Sequence, residues 1–221
     1  MLDRRRRYLQ LAFNGDEAMV RRILPGIPAS DRIFIEAGTP YIKREGLAGI
    51  RLMRELWAGT IVADLKTTDG AVGEVEMVHS VGASAATVLG SAPPEVLERF
   101  IRRCRELNML SMIDMLGVND PLHVLRDLHV VPDVMVLHRG RDEEQTRGKV
   151  IEYRHVNRVL SKYNVFISAA GGVDLKEARS AIFNGAGIVV ANLVRPGEAI
   201  TGIRTDENVA ELAQQFLATI A

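Results

Sequence analysis

Residues 60–89, "TIVADLKTTDGAVGEVEMVHSVGASAATVL", decide the fold. An apolar run of strand length ends in a charged cluster, the chain turns at Gly70, a helix carrying His79 follows, and "SAATVL" opens a second apolar run. The same alternation extends in both directions. Strands are predicted at "YLQLAF", "RIFIEA", "TIVADL", "SAATVL", "LSMIDM", "VMVLH", "VFISAA" and "GIVVAN". Between them, "YIKREGLAGIRLMREL", "PPEVLERFIRRCREL", "DLKEARSAIF" and the closing "DENVAELAQQFLATI" repeat apolar residues at three and four, the period of an amphipathic helix. Pro93 and Pro94 open a helix without wasting a donor, and Asp120, Asp174 and Asp206 are placed to cap one. Near-continuous apolar strands of this kind belong in a parallel sheet covered by helices. About eight such units favour an α/β fold closed as a single (β/α)8 TIM barrel, with residues 1–221 as one domain. The alternative is an open doubly wound sheet, but the first turn, "AFNGDE", lacks the G-x-G-x-x-G fingerprint of dinucleotide folds.

Composition narrows the function. Charged residues make up 25% of the 221 and the formal net charge is zero, so no global field draws nucleic acid or an anionic membrane. The one basic run, Arg4 to Arg7, reads as a solvated lead-in. The single cysteine, Cys104, lies in an amphipathic helix with no nearby histidine and reads as a packed thiol. No apolar run reaches the roughly 18 residues of a membrane span, and the N-terminus has no signal-peptide core, so a cytoplasmic protein is expected.

In a parallel barrel the C-terminal strand ends form one rim, where the chemistry collects. Polar residues fall at those ends: Asn14, Glu36, Asp64 with Lys66, Asp114, His138 with Arg139 and Arg141, Gly171 with Gly172, and Asn192. Capping accounts for Asp16, Asp120 and Asp174, but poorly for Glu36 and Asp64, which sit inside apolar runs well before their helices begin. Strand alternation puts Asp64 and Lys66 on one face. A lysine flanked by carboxylates stays protonated and fixed, suited to stabilising negative charge or delivering a proton rather than to forming a Schiff base. Glu36 and Asp64, on adjacent strands without nearby cysteine, suit Mg²⁺ better than Zn²⁺, although a structural salt-bridge cluster is the competing reading. His138 is the one histidine at a strand's end and reads as a proton carrier or water-positioning group. His79, His123, His129 and His155 read as structural or solvent-facing. The glycines of "AAGGV" let backbone N–H groups approach a phosphate.

These residues carry a resemblance. "ADLKTTD" resembles the D-x-K-x-x-D motif of the orotidine 5′-monophosphate decarboxylase superfamily. "IEAGTPYIKREG" is similar to the E-x-G-T-P segment of its branch containing 3-hexulose-6-phosphate synthase and 3-keto-L-gulonate-6-phosphate decarboxylase. The resemblance implies that Glu36 and Asp64 bind Mg²⁺, that Lys66 stabilises a 1,2-enediolate, and that Asp69 acts near the interface of a homodimer with composite sites. It implies a sugar-phosphate substrate. "MIDMLGV", with Asp114, resembles the synthase, whereas "LHRGRD", with His138 and Arg141, resembles the decarboxylase.

Strand 5 and "AAGGV" tip the expectation to a Mg²⁺-dependent aldehyde-lyase that joins ribulose 5-phosphate to formaldehyde or reverses that reaction. Alternatives are 3-keto-L-gulonate-6-phosphate decarboxylation, orotidine 5′-phosphate decarboxylation and non-catalytic sugar-phosphate binding. Two departures mark the substrate end: the first strand ends in Asn14 where the family has aspartate, and the eighth carries Ala191 and Asn192 where it has a glycine-rich phosphate turn.

Overall fold

The computed structural model describes residues 2–146 and 150–221. Among these, eight parallel strands close a barrel: β1 Tyr8–Phe13, β2 Ile33–Ala37, β3 Ile61–Thr67, β4 Ala85–Leu89, β5 Leu110–Asp114, β6 Val134–His138, β7 Phe166–Ala170 and β8 Ile188–Val194. Closure is direct, because β1 pairs with both β2 and β8. A short β9, Ile203–Arg204, extends the sheet from β8 and was not expected. The helices between strands are α1 Glu17–Ile23, α2 Thr39–Leu56, α3 Ala71–Ser80, α4 Pro94–Glu106, α5 Pro121–Arg126, α6 Arg141–Glu144, α7 Val156–Leu160, α8 Leu175–Phe183 and α9 Val209–Thr219. None of them is long and apolar enough to cross a membrane.

Strand alternation sorts the side chains into two layers. Leu9, Leu11, Ile33, Ile35, Ile61 and their counterparts point outward into the core shared with the helices. Tyr8, Phe34, Val62, Met112 and Ile188 point inward and fill the lower barrel, where the Tyr8 and Phe34 rings stack at 5.0 Å. A filled floor leaves only the upper end open, so polar residues one or two inward positions higher meet in a cavity.

Several local expectations change. Asp16, Asp120 and Asp174 cap α1, α5 and α8 through backbone N–H groups, but Asn208 rather than Asp206 caps α9. Asp206 lies two residues too early and instead pairs with Arg204 at 3.1 Å. Gly46, with φ 60°, breaks α2 into two segments. His123 lies within α5, and His155 stands at the N-cap of α7. Arg4 to Arg7 do more than dangle: Arg6 pairs with Asp31 at 2.5 Å, and Arg4 donates to the Val165 carbonyl at 3.2 Å while lying over the Phe166 ring. Cys104 is fully buried, and that burial pushes its thiol up to about 12.

Candidate active site

A cavity of about 620 Å³ opens at the C-terminal end of the barrel, within the range typical of small-molecule sites. Its charged wall runs from β2 to β6. Lys66 is the hub. Its ammonium donates to both oxygens of Asp64, at 2.8 and 2.7 Å, and pairs with Asp114 at 2.9 Å. Asp114 in turn lies 2.8 Å from Nδ1 of His138. Residues from β3, β5 and β6 are thus joined in one chain of contacts.

Lys66 reaches this position through an unusual backbone. The β3–β4 register shifts between Ala63 and Thr67, and Lys66 adopts φ 51°, in the left-handed region that costs an ordinary residue about 1–2 kcal/mol. Its N–H donates to Thr87 Oγ1 at 2.9 Å, and the Thr87 hydroxyl donates to Asp64 at 2.9 Å. Thr39, at the start of α2, holds Asp64 from the other side, its hydroxyl 2.8 Å from Oδ2. Threonines therefore fix both the bulge and the carboxylate that receives the lysine.

The electrostatics follow from burial and pairing. Burial opposes the Lys66 ammonium, but Asp64 and Asp114 outweigh it and raise its pKa. Burial likewise opposes charge on His138, and Asp114 outweighs it, so the imidazole is more basic than usual. Asp114 is only 2% exposed, yet the charges of His138 and then Lys66 overcome burial and hold its carboxyl well below the usual range. Glu36 behaves oppositely: burial, reinforced by the charge of Asp64, pushes it up to about 7 despite a 2.5 Å hydrogen bond from the Gln10 amide. Among the described residues no group of three His, Cys, Asp or Glu converges on a metal position. Glu36 and Asp64, the two carboxylates expected to hold a cation, both line the cavity.

The cavity thus gathers Asn14, Glu36, Asp64, Lys66, Asp114, His138, Arg141, Gly171 and Asn192 from the residues expected at the rim. Gly171, with φ 96°, must be glycine, because a Cβ there would run into the Arg139 carbonyl. Gly172 lies just outside the lining, with the Arg139 guanidinium 3.4 Å from its carbonyl. Two further expected residues are not brought in. Asp69 is exposed on the turn before α3, away from this chain's own cavity. Ala191 points its methyl into the outer core, so only Asn192 of that pair faces the site. Gln10, Thr39 and Thr87 were missed. Gln10 and Thr87 were nonetheless legible as polar residues at inward-facing positions of apolar strands.

The barrel is similar to proteins already known. The bifunctional enzyme Fae/Hps of Methanosarcina barkeri is 37% identical over 215 residues, covering 96% of this chain and 52% of that protein. The chain spans about half the length of the curated relatives it matches. A crystal structure of 3-hexulose-6-phosphate synthase from Salmonella typhimurium superposes with a TM-score of 0.82 at 24% identity, over 96% of this chain and 98% of that one. Another 3-hexulose-6-phosphate synthase structure gives 0.79 at 28% identity, over 97% of this chain and 100% of the other. The model of the orotidine 5′-phosphate decarboxylase / HUMPS family matches residues 9–206, nearly the whole barrel. The chain belongs to that family.

Proposed function

We propose that the protein is a lyase of the 3-hexulose-6-phosphate synthase type, joining ribulose 5-phosphate to formaldehyde or cleaving the product. The observation that carries this reading is Lys66 held between Asp64 and Asp114 in a closed-floored cavity, with His138 attached to the same aspartate. Such a site serves a reaction through an enediolate. In the forward direction a proton leaves C1 of ribulose 5-phosphate, C1 bonds to the formaldehyde carbon, and the former aldehyde oxygen takes a proton. His138, made more basic by Asp114, takes the first proton and returns it to that oxygen. Lys66, kept charged by its two carboxylates, stabilises the negative charge that develops on the substrate oxygens. Arg141 opens α6 at the cavity mouth, placed to orient the incoming carbonyl compound.

Mg²⁺ belongs to this proposal. Among the described residues Glu36, a buried carboxylate, takes its hydrogen bond from the neutral Gln10 amide, and the charges of Lys66 and His138 do not offset its burial. That donor set fits a hard cation, because Mg²⁺ takes one or two carboxylates and completes its shell with water and substrate oxygens. Glu36 and Asp64 would hold it, and when bound it polarises the substrate's oxygens.

We extend the reading to a homodimer. Val72 and Met77, on the helix that follows Asp69, are 40% and 49% exposed, two apolar side chains near the one motif residue that the cavity of its own chain does not use. A second copy packed on α3 would cover apolar surface there and bring Asp69 toward a neighbouring site. Light scattering that finds a monomer at assay concentration would remove this part of the reading.

The assay is direct. Ribulose 5-phosphate, formaldehyde and Mg²⁺ are mixed with the protein, and formaldehyde should disappear. No consumption with metal present or absent overturns the synthase reading. A second reading, 3-keto-L-gulonate-6-phosphate decarboxylation, is favoured by the joint placement of His138 and Arg141 at the cavity. Release of CO₂ from that substrate, with formaldehyde untouched, would decide for it.

A further inference from the structure

Gln10 lies on β1, two residues above Tyr8 and the filled floor, and borders the cavity while only 3% exposed. Its cross-strand partners, Phe34 on β2 and Val190 on β8, are apolar. Packing alone gives no reason for an amide at this position, where an apolar side chain of the same length would fill the slot. What the amide does is bind a carboxylate: Nε2 donates to Glu36 Oε2 at 2.5 Å, from β1 to β2. Its carbonyl oxygen, Oε1, is enclosed and accepts no hydrogen bond among the described residues.

A buried acceptor without a donor costs the desolvation of that group. Turning the amide over would not help, because its oxygen would then face a carboxylate oxygen and the donor would be lost. Gln10 thus carries an unfavourable group, and what it gains in return is its hold on Glu36. That hold matters for how Glu36 stands. Asp64 is fixed from three sides, by Thr39, Thr87 and Lys66. Glu36 has the longer side chain, and among the described residues its hydrogen bonding is confined to Gln10 and to one oxygen, Oε2.

We propose that Gln10 is a positioning residue for the cation site. By occupying one oxygen of Glu36 it fixes the direction of the carboxylate and leaves the other oxygen for a divalent cation. Gln10 does for Glu36 what Thr39 and Thr87 do for Asp64. It acts through Glu36 rather than by touching the substrate, since its oxygen is enclosed and its nitrogen faces the carboxylate. A ligand held in place beforehand gives up less rotamer freedom when the cation binds, and loss of such an outer partner typically costs about 10- to 100-fold in metal affinity.

This inference rests on the reading of Glu36 as a cation ligand, and its test separates the two. The probe is Mg²⁺ alone, titrated calorimetrically into metal-free parent, Gln10→Met, Glu36→Gln and the Gln10→Met/Glu36→Gln double variant. Gln10→Met keeps the length of the side chain and removes its polar groups. It should weaken Mg²⁺ binding about 10- to 100-fold. The Mg²⁺ concentration that gives half-maximal turnover should rise by the same factor, with KM for ribulose 5-phosphate at saturating Mg²⁺ moving far less. Glu36→Gln and the double variant should bind Mg²⁺ equally weakly, because the residue through which Gln10 acts is gone from both.

Mg²⁺ affinity in Gln10→Met within about twofold of the parent, when Glu36→Gln has lost it, overturns the proposal and leaves Glu36 as the ligand. A fall in melting temperature alone, at that unchanged affinity, would mark Gln10 as a residue that only packs. A parent that binds Mg²⁺ no more tightly than Glu36→Gln overturns the metal reading and this proposal with it. If Gln10→Met does not fold, Gln10→Ala carries the same titration with the same outcomes.

Discussion

Asp114 lies 2.8 Å from Nδ1 of His138, which ties the ring through that nitrogen. The carboxylate therefore fixes both the orientation of the imidazole and its basicity. Asp114→Asn should lower kcat by about 10²-fold, the scale of a lost general acid–base contribution. Because Asp114 raises the pKa of His138, its removal should also move the acid limb of the kcat profile to lower pH. A limb that stays in place in Asp114→Asn would show that His138 is not the titrating group.

The same contact gives a stability window. His138 has a raised folded pKa, so its ion pair contributes fully below the unfolded imidazole value of about 6.5 and is lost as pH rises through the folded value. The melting temperature of the parent, minus that of His138→Gln, should be largest in mildly acidic buffer and shrink on the alkaline side. A difference that grows with pH contradicts the assignment.

Much of this site could be read from strand alternation alone. Glu36, Asp64, Asp114, His138 and Asn192 each occupy an inward position near the end of an apolar strand, and parallel closure brings such positions together whatever their separation in sequence. Period two equally marked Gln10 and Thr87, polar residues inside apolar runs, whose importance lies in contacts that only the packed barrel reveals. The bulge at Lys66 was not legible, because its left-handed backbone is held by a threonine on the neighbouring strand, 21 residues away. Ala191, which departs from the family's glycine, alternates with Asn192 along β8, so its side chain belongs to the outer core.

That left-handed backbone yields a prediction that separates fold from chemistry. Lys66→Ala and Lys66→Gly both remove the ammonium and should both reduce kcat by about 10²- to 10³-fold. Alanine still pays the left-handed penalty at φ 51° and glycine does not. Lys66→Gly should therefore be more stable than Lys66→Ala by about 1 kcal/mol, or about 2–4 °C in a barrel of this size. Equal melting temperatures would mean that the bulge relaxes once the lysine is gone.

Glu36 supplies the test of the metal. Its carboxyl is pushed up to about 7 by burial and by Asp64. A raised folded pKa means that stability is fully present below the unfolded value of about 4.3 and is lost as pH rises through 7. Metal-free parent should accordingly weaken across that interval, and Glu36→Gln, with no charge to bury, should weaken less. Mg²⁺ binding only to the folded state adds about 2.7 kcal/mol at a hundredfold excess over Kd. In alkaline buffer, then, Mg²⁺ should raise the melting temperature of the parent and leave Glu36→Gln nearly unmoved, while in metal-free buffer the variant should be the more stable of the two. If Mg²⁺ stabilises both proteins equally, the ion does not use Glu36. If Glu36→Gln is less stable than the parent without metal above pH 7, the buried carboxylate is not the uncompensated charge on which the metal assignment depends.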